Sequence, residues 1–297
     1  MNNKLPFTGL HTALITPFKN DSIDWTSFEK IIEYQIENGV DGLVFCGTTG
    51  ESSTLSHEEH NLIIERGVRI VNSRVKVIAG TGSNSTNESI KLTRHAQKSG
   101  VDAALIITPY YNKPTQNGMY NHFKAIHDSC SLPIILYNVP GRTCVNLSDE
   151  TIIKLSELKN VIGLKDATGD LARVYTLKAT LQQPFTLLSG EDMTAVSFNA
   201  SGGNGIISVT SNLLPKICSN IQKLSLQGNI YEANIFQQTL TNINSILFKE
   251  TNPIPIKYIM HLAKFCENEI RMPLCQPSEE LKIELTRELK KWLNQIQ

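Results

Sequence analysis

Short runs of aliphatic and β-branched residues recur along the chain as far as residue 208, and the segments between them carry apolar residues at helical spacing. The runs lie at residues 10–18, 42–47, 75–81, 103–109, 133–139, 161–166, 185–190 and 203–208. Successive runs begin about 28 residues apart, which leaves room for a strand, a helix and the return to the next strand. Because the runs are apolar on both faces, they indicate a parallel sheet that helices cover on both sides.

Several of the intervening segments begin with a residue that can cap a helix. Ser56 has Glu59 three residues after it, which is the spacing of a capping box. Ser148 and Asp170 open two later segments in the same way, and residues 24–39 form an amphipathic segment that stops at a glycine. These patterns predict helices between the strands.

Eight strand–helix units favour a closed (β/α)8 TIM barrel, with an open doubly wound sheet as the alternative. Beyond about residue 212 the strand pattern stops, and consecutive helical segments interrupted by prolines follow. We therefore predict an α/β protein with a barrel catalytic domain over residues 1–225 and a helical C-terminal domain over residues 226–297. No linker-like tract separates them, so we expect the helical appendage to pack on the barrel.

Composition and charge exclude several classes of partner. The chain has 28 Lys and Arg against 28 Asp and Glu, so it has no basic field with which to hold a nucleic acid. No apolar run approaches the ~20 residues that a membrane span needs, and no signal peptide is recognisable. The six cysteines form no CxxC pair. Such cysteines are typical of reduced thiols, so we expect a cytoplasmic protein. From the charge balance and the short apolar runs we expect that it binds neither nucleic acids nor membranes.

Polar residues at the carboxyl ends of the predicted strands are the candidates for chemistry, because barrel active sites lie there. The second run ends in GTTGES, in which Thr48 and Thr49 can hold a carboxylate with their hydroxyl groups and the backbone amides of the turn. The plainer interpretation is a strand–helix turn capped by Thr49. The fourth run ends in TPYYNKP, where Tyr110 and Tyr111 on an extended segment are expected to point in opposite directions.

Lys165 is the residue with the most specific chemical implication. It lies near the end of an apolar strand, where burial disfavours its ammonium form and leaves an amine that can attack a carbonyl group. A lysine that reaches solvent or pairs with Asp166 is the alternative. Tyr137, inside the fifth run, has a phenol that can relay protons, and Arg142 after that run can hold a carboxylate. A core tyrosine and a surface ion pair are the respective alternatives.

Metal and organic cofactors are not indicated. The seven histidines form no HExxH or HxxxH pattern, and His57 and His60 have no third ligand near them in the sequence. GTTGES also lacks the lysine of a nucleotide-binding loop. We therefore predict a protein without a metal or other cofactor.

The order and spacing of six motifs resemble the dihydrodipicolinate (4-hydroxy-tetrahydrodipicolinate) synthase family. That family belongs to the Schiff-base aldolases and lyases, which include N-acetylneuraminate lyase. The motifs are GTTGES, TPYYNKP, YNVPGRT, GLKDATGD, LLSGED and NGIISVTSN, and the later TNPIPIK and RMPL segments also fit. The resemblance covers essentially the whole chain. It implies a (β/α)8 barrel with a helical C-terminal domain, usually assembled as a homotetramer of tight dimers.

The resemblance also implies an activity and assigns roles to residues. It implies condensation of pyruvate with L-aspartate-4-semialdehyde, the first committed step of the diaminopimelate route to L-lysine, with no cofactor. The Schiff-base lysine corresponds to Lys165, and the hydroxyl relay corresponds to Thr48, Tyr137 and Tyr111, with Tyr111 reaching in from the partner subunit. The substrate-binding positions correspond to Thr49, Arg142, Gly190 and Ile207.

Feedback-inhibited members of the family bind L-lysine at the dimer interface. The corresponding positions in this chain are Ser52, His57, His60, Asn84, Glu88 and Tyr110. All six carry the residue types of lysine-sensitive members, although Ser53 stands where alanine is common. The resemblance therefore implies inhibition by L-lysine, with ordinary interface packing as the alternative.

Two other functions are compatible with part of the pattern. Another member of the superfamily, such as N-acetylneuraminate lyase or a keto-sugar-acid aldolase, shares the lysine and the tyrosine. Thr48, in place of the serine common in the lyases, and the GRT that contains Arg142 favour the synthase. A catalytically silent, lysine-binding sensor barrel predicts the loss of a relay hydroxyl, yet Thr48, Tyr111 and Tyr137 are all present.

Overall fold

The computed structural model describes residues 5–296 and shows the predicted closed barrel of eight parallel strands. The barrel strands are β1 (Gly9–Ala13), β4 (Gly42–Phe45), β5 (Lys76–Gly80), β6 (Ala103–Ile107), β7 (Ile134–Asn138), β8 (Val161–Asp166), β9 (Thr186–Ser189) and β10 (Gly205–Ser208). Each strand pairs with the next, and β1 closes the cylinder between β10 and β4. The eight predicted runs coincide with these strands, and the prediction of a TIM barrel is confirmed.

One small element departs from the prediction. The first apolar run extends to residue 18, but the barrel strand ends at Ala13 and Phe18 begins a separate hairpin of β2 (Phe18–Lys19) and β3 (Ser22–Ile23). Asn20 and Asp21 form its two-residue turn with φ values of +52° and +58°. Two central residues of positive φ match the right-handed twist of a hairpin, and Asn and Asp tolerate this conformation well.

Helices connect the strands as predicted, and some of them begin at a predicted capping residue. They are α1 (Trp25–Glu37), α2 (His57–Val71), α3 (Thr86–Ser99), α4 (Gln116–Ser129), α5 (Pro140–Thr143), α6 (Asp149–Ser156), α7 (Leu171–Thr180), α8 (Ala195–Ala200) and α9 (Pro215–Leu226). Ser56 and Glu59 form the predicted capping box at α2. The Ser148 and Asp170 side chains accept hydrogen bonds from the first turns of α6 and α7. These bonds satisfy amides that a helix cannot satisfy internally.

Four further helices form the C-terminal appendage. They are α10 (Ile230–Thr239), α11 (Thr241–Ile246), α12 (Ile254–Leu262) and α13 (Glu279–Ile296). Helix α10 packs on α8 and α9, while α12 lies against the turn at residues 210–212 that follows β10. The predicted division at residues 225 and 226 stays a prediction, and its outer limits, residues 1–4 and 297, lie outside the described residues.

Apolar side chains fill two regions of the molecule. Inside the cylinder, side chains such as Ala13, Val44, Ile78, Ile135 and Leu188 form a compact inner core. Outside it, the opposite faces of the strands pack against the helices in a larger core. Alternation along each strand separates the two sets, because successive side chains point to opposite faces. The inner core reaches the carboxyl ends of the strands, where Ala13, Val44 and Ile207 line a cavity together with polar residues.

Candidate active site

Lys165 lies inside the barrel near the carboxyl end of β8, and only 6% of the residue is exposed. Its backbone is in register with Tyr137 on β7, and its Nζ lies 4.3 Å from the centroid of the Tyr137 ring. The next residue, Asp166, belongs to the opposite face of the strand, where its carboxylate accepts a hydrogen bond from Thr168 and lies 3.6 Å from Arg173 Nη1. The buried amine therefore faces the phenol, as the functional interpretation of Lys165 requires.

A cavity of about 70 Å³ opens around this amine at the carboxyl ends of the strands. Seven of the predicted catalytic and substrate-binding residues line it: Thr48, Thr49, Tyr137, Arg142, Lys165, Gly190 and Ile207. They come from β4, β7, β8, β9 and β10 or from the loops that follow these strands. Residues distant in the sequence meet here because every strand of a parallel barrel ends at the same rim.

Thr49 and Arg142 are joined by a residue of the C-terminal appendage. The side-chain amide of Asn252 donates to Thr49 Oγ1 at 3.0 Å, and the backbone carbonyl of Asn252 accepts from Arg142 Nη2 at 3.0 Å. Arg142 is exposed on the one-turn helix α5, so its remaining donors face the mouth of the cavity. Thr49 is buried and caps no helix, in contrast to the plainer interpretation of this turn.

Gly190 brings the end of β9 close to β8. Its N–H donates to the carbonyl of Asp166 at 2.7 Å. A Cβ at this position would lie 2.7 Å from the Cβ of Ala167, so only glycine allows this approach. The rim beside Lys165 is therefore built from backbone.

The residues that line the cavity but were not among the sequence candidates include Glu191, Phe248 and Asn252. Burial and the neighbouring Asp192 carboxylate raise the pKa of Glu191, while Lys165 opposes that shift. Glu191 directly follows Gly190, the first residue after β9. Its position at the carboxyl end of a strand is a signal that could have identified it. Phe248 and Asn252 come from the helical appendage, and no strand pattern marks them.

Asp192 fixes the end of the last barrel strand. Its buried carboxylate accepts hydrogen bonds from the Ser208 hydroxyl and from the backbone N–H groups of Val209 and Thr210. Burial raises the pKa of Asp192, and these hydrogen bonds oppose the shift. The network holds the Ser208 side chain and the backbone that follows it, next to the predicted substrate position Ile207.

A second cavity of about 480 Å³ adjoins the first and contains most of the predicted regulatory residues. Ser52, His57, His60, Glu88 and Tyr110 line it, together with Thr48, Tyr137 and Arg142 of the catalytic group. The sixth regulatory candidate, Asn84, lies outside this lining, and its backbone carbonyl accepts from the side chain of Asn112. Because these three catalytic residues, together with Gly47 and Leu105, line both cavities, the two candidate sites are contiguous.

The regulatory group has an anionic centre. His57 Nε2 lies 2.8 Å from Glu88 Oε1, and the Ser83 hydroxyl donates to the other carboxylate oxygen. The Ser83 hydrogen bond, with help from His57, lowers the pKa of Glu88. Burial lowers the pKa of His60, although its Nε2 is 2.8 Å from the Gly80 carbonyl. An ionised carboxylate beside polar groups suits a ligand that carries an ammonium group.

Tyr111 lies outside both cavities of its own chain and is 88% exposed. The prediction that it continues an extended segment is wrong, because its φ is +75° and the Asn112 N–H donates to the Tyr110 carbonyl at 2.9 Å. This bond closes a γ-turn of positive φ around Tyr111, a strained conformation that turns the side chain outward. Tyr110 lines the second cavity, so the adjacent rings do occupy different environments.

Two structural features are absent from residues 5–296. Within this part of the chain no helix combines the length and the apolar character needed to cross a bilayer. No group of three or more His, Cys, Asp or Glu side chains among these residues is arranged to hold a metal ion.

Comparison with known sequences gives one consistent result. The family model described as "Dihydrodipicolinate synthetase family" matches residues 6–292. A protein of Parvibaculum lavamentivorans named 4-hydroxy-tetrahydrodipicolinate synthase is 52% identical over 92% of this chain and 94% of its own length. A protein of the same name from Pelagibacter ubique is 51% identical over 93% of this chain and 95% of its own length.

Solved structures agree with the sequence comparisons. A dihydrodipicolinate synthase from Acinetobacter baumannii, described as complexed with pyruvate, has a TM-score of 0.94 and 44% identity. The comparison covers 97% of this chain and 99% of that one. An enzyme of the same name from Cyanidioschyzon merolae, described with lysine bound, has a TM-score of 0.93 and 35% identity over 98% of this chain and 99% of its own. The chain therefore belongs to the dihydrodipicolinate synthetase family, a family of lyase enzymes.

Proposed function

We propose that this protein is a 4-hydroxy-tetrahydrodipicolinate synthase that condenses pyruvate with L-aspartate-4-semialdehyde. The observation that carries the proposal is the buried Lys165 amine, 4.3 Å from the Tyr137 ring centroid, in a cavity lined by Thr48, Thr49 and Arg142. An amine in such a site can act as a nucleophile toward a keto group. The activity belongs to the diaminopimelate route to L-lysine, and the relatives' shared name supports it.

The residues of the cavity suit successive steps of that reaction. The Lys165 amine attacks the keto carbon of pyruvate to give a carbinolamine, which forms the imine by losing the former carbonyl oxygen as water. Tyr137 and Thr48 can carry the protons that these steps release and consume. The hydroxyl and amide groups of the Thr49 turn can donate hydrogen bonds to the pyruvate carboxylate. The exposed Arg142 guanidinium at the mouth can bind the carboxylate of the aldehyde.

In the proposed reaction the imine loses a proton to give an enamine, whose carbon forms a bond with the aldehyde carbon of the second substrate. The α-amine of that substrate then displaces Lys165 from the imine carbon, which closes the ring and regenerates the free lysine. The imine serves as the electron sink, so the proposal needs no metal or organic cofactor.

Regulation and assembly form the second part of the proposal. L-Lysine is proposed to inhibit the enzyme from the cavity that contains His57, His60 and Glu88. The active assembly is proposed to be a homotetramer of tight dimers, in which Tyr111 enters the active site of the partner subunit. The related structure described with lysine bound supports the choice of inhibitor. All six cysteines are free, which supports a cytoplasmic location.

Reductive trapping tests the nucleophile and the keto acid together. We expect borohydride to reduce the pyruvate imine irreversibly at Lys165, and peptide mass spectrometry to locate the added group on that residue. Lys165→Ala should abolish trapping. Lys257, a second deeply buried lysine of the described residues, provides an internal control in the same digest. Trapping at Lys257, or persistent trapping in Lys165→Ala, contradicts the proposal.

A further inference from the structure

The turn that follows β4 carries a buried acidic residue to which neither the catalytic nor the regulatory proposal assigns a role. Glu51 directly follows Thr48, Thr49 and Gly50, and 2% of the residue is exposed. Its backbone has a φ of +54°, which is uncommon for a residue with a side chain. A buried carboxylate on a strained turn is costly unless its surroundings compensate it.

Two residues of the C-terminal appendage hold that carboxylate. Lys257 Nζ on α12 lies 2.5 Å from Glu51 Oε1, and the backbone N–H of Arg271 donates to Glu51 Oε2 at 3.1 Å. Lys257 is 3% exposed, so the ion pair is almost completely removed from water. Burial lowers the pKa of Lys257, and the Glu51 carboxylate opposes that shift. We call Glu51, Lys257 and Arg271 the Glu51 clamp.

The clamp continues along the same segment of chain. The Arg271 guanidinium donates to both carboxylate oxygens of Glu59 at 2.6 and 2.7 Å, and to the backbone carbonyl of Thr54 at 3.1 Å. Lys257 and Arg271 also both lie 4.2 Å from the centroid of the Phe18 ring. The appendage therefore holds the chain from the catalytic turn to the first turn of α2.

The stability of the fold alone does not account for such a pair. Removing two opposite charges from water costs about as much as their attraction returns, and a buried pair is often replaced by apolar residues without loss of stability. A buried pair with fixed geometry does, however, impose one relative position on the elements that carry it. Here those elements are the turn of Thr48 and Thr49 and the helix that follows Asn252.

We propose that the Glu51 clamp positions the Thr48–Thr49 turn for binding the carboxylate of pyruvate, with Lys257 as its positioning residue. The inference rests on the proposed function, because it takes pyruvate as the ligand of that turn. Lys257 acts through Glu51 and does not contact the substrate. The C-terminal appendage is accordingly part of what prepares the active site.

Steady-state kinetics of full-length variants test this role. Lys257→Met keeps the length of the side chain and removes its charge. We expect the KM for pyruvate to rise about tenfold or more, because the turn loses its hold on the carboxylate. We expect kcat to fall by a smaller factor, because the turn also carries the Thr48 hydroxyl while Lys165 keeps its position. The Lys257→Met variant is also expected to melt at a lower temperature, since it leaves an unpaired buried carboxylate.

The double variant Glu51→Gln/Lys257→Met separates positioning from stability. It removes both charges, so we expect the melting temperature to recover toward that of the wild type while the KM for pyruvate stays raised. Lys282→Met, which breaks the exposed pair with Glu279 on α13, is the matched control and should leave the KM unchanged.

The possible failures can be told apart. If the wild type does not trap pyruvate, the proposed function fails. If the wild type traps pyruvate and Lys257→Met has a KM within about twofold of the wild type, the positioning role alone is wrong. Recovery of both the melting temperature and the KM in the double variant also overturns the proposal, because charge compensation would then be the only role of the pair.

Discussion

At the scale of single residues, His122 shows how a buried titratable group links stability to pH. It lies on α4, is almost fully buried, and its Nδ1 is 3.0 Å from the Thr86 hydroxyl on α3. Burial lowers the pKa of His122 to about 4. Between this value and the ordinary histidine pKa of about 6.5, the unfolded chain binds a proton that the folded chain does not. Stability is therefore complete above about pH 6.5 and is lost as the pH falls toward 4.

We expect His122→Asn to remove this contribution to the pH dependence. Asparagine can still reach the Thr86 hydroxyl but does not titrate. Relative to pH 7, the wild type should lose about 2 kcal/mol of unfolding free energy at pH 5 through this group, and the variant should not. Urea-unfolding midpoints at the two pH values measure the difference. His127→Asn, on the same helix, should behave as the wild type; equal pH slopes for all three proteins contradict the assignment.

How well the sequence predicts a site residue depends on what holds that residue in place. Lys165, Tyr137 and Thr48 lie on or directly after strands, so the parallel topology alone brings them to one rim. Asn252 reaches the same cavity from the appendage, through a hydrogen bond to Thr49 across 203 residues of chain. Local patterns contain no information about such a contact, because it depends on how the appendage packs on the barrel.

At the scale of elements, α2 and α3 bring His57 and Glu88 together in the proposed regulatory cavity. Both residues lie in the first turns of their helices, where partial positive charge favours an ionised carboxylate. The hydrogen bond from Ser83, on the loop before α3, also lowers the pKa of Glu88. We therefore expect L-lysine to bind with an ammonium group at Glu88 and to slow the condensation.

We expect Glu88→Gln to raise the half-inhibitory L-lysine concentration about tenfold or more, since a charged hydrogen bond contributes roughly 1.5–3 kcal/mol. Initial rates over a range of L-lysine concentrations measure this change. Glu65→Gln is the matched control, because Glu65 and His95 form a second His–Glu pair between the same helices, 3.2 Å apart. A wild-type rate that L-lysine does not alter, or unchanged inhibition of Glu88→Gln, rejects this site.

The elements that the sequence predicts well are those with several residues of one periodicity. Helix α2 has a capping box and four turns of amphipathic pattern, so both its type and its start are predicted. The hairpin of β2 and β3 has two residues in each strand, too few to show alternation. Its Asn20-Asp21 turn is the one local signal. The γ-turn at Tyr111 has no distinctive sequence pattern, because its positive φ is imposed on a residue that disfavours it.

At the scale of the whole molecule, closure of the barrel follows from the count and the connection of its units. Eight parallel strands close into a cylinder, and its interior is just wide enough for the inward-pointing side chains to fill. The sequence predicts the number of units and their parallel order, and the fold follows. Subunit assembly depends on surface shape, which periodicity does not encode. The exposed ring of Tyr111 is compatible with the proposal that two subunits share an active site.

If Tyr111 completes the site of a partner subunit, two inactive variants should restore activity when they share a dimer. Tyr111→Phe alone is expected to lower kcat by roughly 10²-fold, the usual contribution of a proton-transfer group. When Tyr111→Phe and Lys165→Ala are co-expressed in equal amounts, half of the dimers are mixed. Each mixed dimer then has one site with an intact lysine and an intact tyrosine, so we expect about a quarter of wild-type activity.

The wild type, each variant alone and the mixed preparation are compared at the same total subunit concentration. Tyr231→Phe replaces Tyr111→Phe in a second mixture as the control, because Tyr231 is an exposed tyrosine on α10, outside both cavities. Every site on a Tyr231→Phe subunit keeps Lys165 and receives an intact Tyr111 from either partner, so this mixture should retain about half of the wild-type activity. If Tyr111 instead acts within its own chain, every site in the mixture lacks either Tyr111 or Lys165, because each variant chain lacks one of them. The Tyr111→Phe mixture would then be no more active than its two parents, and the shared active site would be wrong.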